Sequence, residues 1–281
     1  MKTVAMNLSG AVETPEMPSS PYLVDVDGRP YVPIGTAGIV LGVRLGDGVF
    51  DHDADHAAPG VTLSHTDQAA RHGLTALACL GNEAVVHGGA AAGRRGRVLG
   101  KRGEQGRVIV VFPDDVLELL LPGDPILVRA HGQGAVVSPS VALINTDPDF
   151  LDRLPISVGN DGVRASVRAA VPSALAGNGI GRPAHMWDLD LQVTAETAAA
   201  AGLAGLLLGD LVAVDDLDVR HNAGYRRGWR TVGLIVHGGS PQPGHGPGLM
   251  PMLCGPREAL TIDIQGDQHR GVTAEHLDFR P

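Results

Sequence analysis

The residue types that could do chemistry gather between Gly209 and Gly248, which holds Asp216, Asp218, His221, Asn222, Tyr225, Arg226, His237 and His245 among glycines and prolines. Neutral imidazoles and carboxylates in one place suit zinc, manganese or iron(II), and an ion held by them polarises a carbonyl or acidifies a water molecule. The candidate metal ligands are His237 and His245 with Asp188, Asp190, Asp216 and Asp218, joined by His56 from the other half of the chain. The candidate catalytic groups are His237, His245, Tyr225 and Arg226, the last able to grip a substrate carboxylate in a bidentate fork. Neither HExxH nor HxH spacing occurs, and metal-free acid–base catalysis by His237 or His245 is the alternative chemistry for the same residues.

His56 ends the run Asp51-His-Asp-Ala-Asp55-His56. Asp51, Asp53 and Asp55 match the first three ligand positions of an EF-hand loop, but His56 stands where that loop needs glycine and Thr62 where it needs glutamate. The run therefore reads as a solvated acidic loop, with His56, just before an Ala-Ala-Pro-Gly turn, as the member expected to line a site. His87 and His131, each beside glycine, read as satisfied histidines at strand ends. His237 and His245 differ because a rigid glycine-proline loop joins them, and such loops on rigid scaffolds commonly carry sites.

These side chains must be positioned by short strands. Leu211 to Val214 is strand-like, and Asp216 and Asp218 continue it at a spacing of two, which predicts both carboxylates on one face. Gly224 and Gly228 bracket an expected long basic turn at Tyr225–Arg227, Thr231–Val236 reads as a buried strand and Met250–Cys254 as a short one. Asp188 and Asp190 are expected on one strand face. Thr194–Leu208, alanine-rich and opened by a threonine cap, predicts the one longer helix.

Upstream, Asp27-Gly28 and Gly159–Gly162 predict hairpins, Leu74–Leu80 a core strand, and Asp114–Leu121 and Asn145–Asp152 short helices. Arg94, Arg95, Arg97, Lys101, Arg102 and Arg107 form a strand–basic turn–strand pattern with Glu104 as its one acid. It resembles the KOW-type hairpin of small SH3-like barrels, with a solvated tip or an anion or RNA contact as its two readings. The tail carries Asp263, His269 and His276 beyond a last strand.

The fold class expected is mainly β or α+β, with short strands and hairpins forming barrel-like or sandwich modules and a few short helices. With 281 residues, the chain divides into a β-rich part at 1–155, bearing the KOW/SH3-like hairpin at about 80–135, and a β-rich part at 156–281 with the helix at 194–208 and the His/Asp/Gly-rich site. The 39 glycines and 20 prolines favour turns over long helices. A net charge of −9 and an aromatic content of 3% argue against phosphate-backbone binding and base stacking. Cys79 and Cys254 sit in apolar surroundings and read as buried thiols. No apolar run reaches membrane-spanning length and no signal-like segment opens the chain, so a cytoplasmic protein acting on a small molecule, with no membrane partner and compatible with homo-oligomers, is expected.

The segments GNEAVV, GAAAGRRGRVLGKRG, GDPILVRAHGQG, GDLVAV, GYRRGWRTVGLIVH and PGHGPG together resemble a bacterial family described only as domain of unknown function 4438. The resemblance spans nearly the whole chain. It implies a mostly β protein and makes Asp216, Asp218, Tyr225, Arg226, His237 and His245 the positions most like the family's pattern, whereas His185 and His221 depart from it. The Gly-Asp-strand modules also resemble, at the level of fold, acetamidase and formamidase amidohydrolases, whose acidic histidine-glycine signature is not reproduced. The expected function is a metal-dependent hydrolase of an amide-like or carboxylate-bearing substrate; the alternative is a non-catalytic ligand- or RNA-binding protein using the hairpin at 94–107.

Overall fold

The structure, a computed structural model, describes residues 3–17, 19–103, 106–266 and 271–278. The expectations placed on Glu104 and His269 lie outside the described residues. The fold is mainly β. Its first half comprises β1 (Met6–Val12), the small ribbon β2 (Leu23–Val24) and β3 (Pro30–Tyr31), β4 (Ile39–Val40), β5 (Gly60–Ser64), helix α1 (Gln68–Leu77), β6 (Glu83–Val86), β7 (Arg95–Arg102), β8 (Arg107–Val111), helix α2 (Asp114–Leu117) and β9 (Pro125–Ala130). Pairing runs β1–β9–β6–β7–β8–β5, and β5 returns to β1, so six antiparallel strands close on themselves. Closure removes the sheet edges that would otherwise be open to other chains. Residues at a spacing of two, Val61 and Leu63, Val108 and Val110, and Ile126 and Val128, share one buried cluster.

The second half comprises β10 (Ala142–Leu143), helix α3 (Pro148–Leu151), β11 (Ile156–Gly159), β12 (Gly162–Val167), β13 (Ala169–Pro172), β14 (Leu189–Asp190), β15 (Leu211–Asp218), β16 (Gly224–His237), β17 (Gly248–Pro256) and β18 (Leu260–Ile264). Strands β10, β17, β16, β15 and β13 form one sheet in that order, with β14 also paired to β17, while β11, β12 and β18 form a small third sheet. The hairpin β7–β8 is buried on both faces. Val98, Val108 and Val110 join the first cluster, whereas Leu99, Ile109 and Val111 pack with Val232, Leu234, Val236 and Met250 of the second sheet. This double burial explains the unbroken apolar run at 108–112. It also welds the halves together, at roughly 1.5–3 kcal/mol for each large aliphatic side chain removed from water.

Several expectations are corrected. Lys101, Arg102 and Arg107 of the basic hairpin are buried rather than solvated, and Arg107 is held by Glu13 and Glu16 at 2.7 and 2.5 Å. Arg94, Arg95 and Arg97 pair with Asp115, Glu83 and Asp278. Leu74–Leu77 ends α1 rather than forming a strand, because Asp67 caps the helix by accepting the Ala70 amide. Residues 194–208 form successive turns, not a helix, since Gly202, Gly205 and Gly209 take positive φ and end each turn. The expected turn at Tyr225–Arg227 is strand: β15 and β16 pair from Asp218 and Gly224, so the reversal spans 219–223. A register shift at Asp216, whose φ is +60°, breaks the alternation that was to place Asp216 and Asp218 on one face.

Candidate metal centre

Four segments converge at the start of β17. Gly248 pairs with His237, the last residue of β16, and with Asp190 of β14. Only glycine fits there, because a Cβ on Gly248 would stand 1.9 Å from His237 Nε2. The loop 238–247 carries His245 back over this end. His56 arrives from the segment before β5, anchored where its amide donates to the Gly239 carbonyl at 2.9 Å and the Gly238 amide donates to Ala57 at 2.8 Å. Its φ of +54° is a strained conformation for a non-glycine residue and fixes where the imidazole emerges.

The polar atoms then face one another. His56 Nε2 lies 3.0 Å from His245 Nδ1, His245 Nδ1 lies 2.8 Å from Asp190 Oδ2, and His56 Nε2 lies 3.5 Å from the same oxygen. Yet Asp190 Oδ2 is buried without a hydrogen bond of normal geometry. The two contacts to Asp190 Oδ2 lack hydrogen-bond geometry, whereas His56 Nε2 and His245 Nδ1 face each other at hydrogen-bond geometry. Ligands around a tetrahedral zinc, at bonds of about 2.0–2.1 Å, stand about 3.3 Å apart, and the three separations bracket that spacing. The donor set of two imidazoles and one carboxylate thus fits a divalent cation.

His237 lies alongside. Its Nε2 is 2.8 Å from Asp188 Oδ2 and 3.4 Å from Asp190 Oδ1, while Nδ1 bonds the Gly238 carbonyl at 2.9 Å. Burial would lower its pKa, but hydrogen bonds and charge from Asp188 and Asp190 push it up to about 10. Burial would raise Asp190, and the imidazoles of His237, His245 and His56 instead hold it well below the usual carboxylate range. Asp188 is fixed from behind by the Gly103 amide at 3.0 Å.

Behind His56 stands Asp55, which the sequence presents only as one acid of a solvated run and which is in fact buried. Asp55 Oδ1 lies 2.6 Å from His56 Nδ1, and Asp55 Oδ2 accepts from the Tyr31 hydroxyl at 3.0 Å and from Gln242 Nε2 at 3.2 Å. Burial would raise the Asp55 pKa; the His56 contact, with Ser240 and Tyr31, lowers it to about 2. A carboxylate behind a ligating imidazole sets its tautomer, and the Asp55 charge at 2.6 Å, although outside hydrogen-bond geometry, favours the proton on Nδ1 and the lone pair on Nε2. Tyr31 in turn has its pKa raised by burial and by the Asp55 charge. Neither Tyr31 nor Gln242 carries a local sequence signal, since each meets Asp55 only through the fold.

Of the candidates from sequence, His56, Asp188, Asp190, His237 and His245 come together here. Asp216, Asp218, Tyr225 and Arg226 do not: Tyr225 opens the strand that His237 closes, roughly 35–40 Å away at about 3.3 Å per residue. There Asp218 pairs with Arg220 and Arg226, both of which stack on Trp229, and Asp216 accepts from the Gly228 amide. Tyr225 is 63% exposed. This end is an ordered surface cluster. The group His131, Asp147 and Asp149 is explained by Asp147, which caps α3 and bonds His131 Nδ1 at 2.9 Å. Cys79 and Cys254 are free and buried.

A cavity of about 150 Å³ adjoins the centre and is lined by Asp55, His56, Thr36, Arg102, Arg107 and Gln242 among others. Larger hollows lie elsewhere, such as one of about 490 Å³ against β1 and α1, away from the histidines. Among the described residues no helix is long and apolar enough to cross a membrane.

Comparison with known proteins gives a family without a chemistry. The model described as domain of unknown function (DUF4438), N-terminal, matches residues 22–152, and its C-terminal counterpart matches 153–269. A solved structure described as the crystal structure of TM1086 superposes with a TM-score of 0.92 at 32% identity, over 98% of this chain and 96% of that one. No curated protein matches. The chain belongs to the DUF4438 family.

Proposed function

We propose that the protein is a metal-dependent hydrolase of a small, carboxylate-bearing, amide-like molecule, with a divalent cation held by His56 Nε2, His245 Nδ1 and Asp190 Oδ2. The observation that carries this reading is the buried Asp190 Oδ2, which faces two imidazole nitrogens at 2.8 and 3.5 Å without a hydrogen bond. A buried carboxylate oxygen that lacks a well-formed hydrogen bond is costly unless a positive charge satisfies it. Two imidazoles and a carboxylate leave positions for water and substrate, and a cation bound there supplies a nucleophile at neutral pH and polarises the scissile carbonyl.

The chain's own groups have separate tasks. Asp55 keeps a proton on His56 Nδ1, and Tyr31 with Gln242 keeps Asp55 in place. Arg102, whose Nη1 donates to the Thr36 carbonyl on the wall of the adjoining cavity, places positive charge beside a substrate carboxylate, the task assigned from sequence to Arg226. A space of about 150 Å³ suits a substrate of a few heavy atoms. The RNA-binding alternative loses its motive, because the basic side chains at 94–107 are buried or paired with acids.

The test is a reconstitution. Protein stripped with chelator and reloaded with zinc, manganese or iron(II) is assayed against a panel of small amides, lactams and N-acyl amino acids, beside His245→Ala. Hydrolysis that returns with metal and is absent in the variant is expected. Full metal occupancy with no turnover across the panel would overturn the hydrolase reading.

A further inference from the structure

The cation site of the previous section uses one oxygen of Asp190. The other, Oδ1, turns to His237 Nε2 at 3.4 Å, and Asp188 Oδ2 reaches the same nitrogen at 2.8 Å. Donor atoms of Asp188, Asp190 and His237 lie within 4.8 Å of one another, as do those of His56, Asp190 and His245. Both groups share Asp190.

We infer that the centre is dinuclear, with Asp190 bridging the cation at His56 and His245 to a second divalent cation held by His237 Nε2 and Asp188 Oδ2. The inference rests on the metal reading above and extends it. Three features suit a cation at the second position, in place of the proton that the 2.8 Å contact with Asp188 otherwise holds on His237 Nε2. His237 Nδ1 is occupied by the Gly238 carbonyl, so Nε2 is the ring's ligating atom. Asp188 Oδ1 accepts the Gly103 amide, which leaves Oδ2 aimed at the same point.

The third feature is charge. Asp55, Asp188 and Asp190 are all buried, and among the described residues no lysine or arginine forms an ion pair with any of them. With one dication at the first position, three carboxylates leave one negative charge, which either a proton on His237 or a second dication offsets; the second dication also leaves room for a bound hydroxide. A carboxylate shared between two cations about 3.5–4 Å apart is a recurring device of hydrolytic sites, where one cation binds the attacking oxygen and the other the leaving one.

The experiment counts cations on the full chain, tag-free and stripped of metal. Zinc is added, unbound metal is removed by gel filtration, and content is read by elemental mass spectrometry for wild type, Asp188→Asn and His245→Ala. Asp188→Asn is isosteric, keeps an acceptor for the Gly103 amide and offers an NH₂ to neutral His237, so the fold is retained. The expected result is two zinc ions per wild-type chain and one in Asp188→Asn. Manganese(II) gives a second readout: at two equivalents the wild type shows a spin-coupled spectrum, and Asp188→Asn the six-line signal of isolated ions. One zinc per chain in both proteins, with uncoupled manganese, overturns the dinuclear centre and leaves the single-cation reading standing. No zinc in folded wild type overturns both.

Discussion

Asp55 gives the sharpest handle on the site, because it stands behind a ligand rather than among the ligands and acts on the cation only by orienting His56. Its Oδ1 makes an ion-pair contact with His56 Nδ1 at 2.6 Å, outside hydrogen-bond geometry, and its Oδ2 accepts from the Tyr31 hydroxyl and Gln242 Nε2. In Asp55→Asn one oxygen becomes NH₂. If the amide oxygen faces His56, the NH₂ confronts the Gln242 NH₂; if it is reversed, the NH₂ confronts the protonated Nδ1. Either way a donor meets a donor and the charge that favours Nδ1–H is gone. Loss of such a partner costs about 10- to 100-fold in metal affinity, equivalent to about 1.4–2.8 kcal/mol. Tyr31→Phe removes one of the hydrogen bonds on Oδ2, so a smaller loss of roughly 2- to 10-fold is expected, from a hydrogen bond worth about 0.5–1.5 kcal/mol. The assay is zinc competition against a chromophoric chelator, on proteins whose thermal midpoints show them folded. Folded Asp55→Asn with a Kd within twofold of wild type would refute the argument that Asp55 sets the His56 tautomer.

Gly248→Ala should abolish metal binding and lower stability sharply, since its Cβ meets His237 Nε2 at 1.9 Å; thermal melts and zinc titration check this. Tyr225→Ala and Asp218→Asn, at the far end of the sheet, should leave zinc affinity within twofold of wild type in the same titration. Lys101, 1% exposed and bonded to Asn145 Oδ1 and to the His185 carbonyl, is pushed by burial down to about 8. The unfolded chain binds more protons between that value and the ordinary lysine pKa of about 10.4, so this group's contribution to stability rises with pH across that window, by on the order of 3 kcal/mol. Urea midpoints for wild type and Lys101→Met at pH 7 and pH 9.5 should therefore diverge in favour of wild type as pH rises.

Much of this architecture was legible in the chain, for physical reasons. Runs such as Leu211–Val214 and Thr231–Val236 are apolar because both faces of their sheet are covered, and PGHGPG can only be a loop whose glycines let backbones approach. That loop made His237 and His245 neighbours from sequence. Asp188 and Asp190 kept the common direction their spacing implied, whereas Asp216 lost it to a bulge that no local pattern announces. The arginines of the hairpin were misread because their partners, Glu13, Glu16 and Asp278 among them, are distant in sequence. The alanine-rich segment at 194–208 shows propensity overruled by glycines that the fold needs at positive φ. Asp55 was visible only as one acid in an acidic run; its meaning arises where Tyr31 and Gln242 meet it.

The central claim, that these histidines and aspartates hold a divalent cation, is tested most directly by the metal content of protein purified without chelator or histidine tag, measured by elemental mass spectrometry. The account predicts at least one equivalent of zinc, manganese or iron per wild-type chain and its loss in His56→Ala and His245→Ala. Folded wild-type protein that carries no transition metal and takes up none on titration would contradict it.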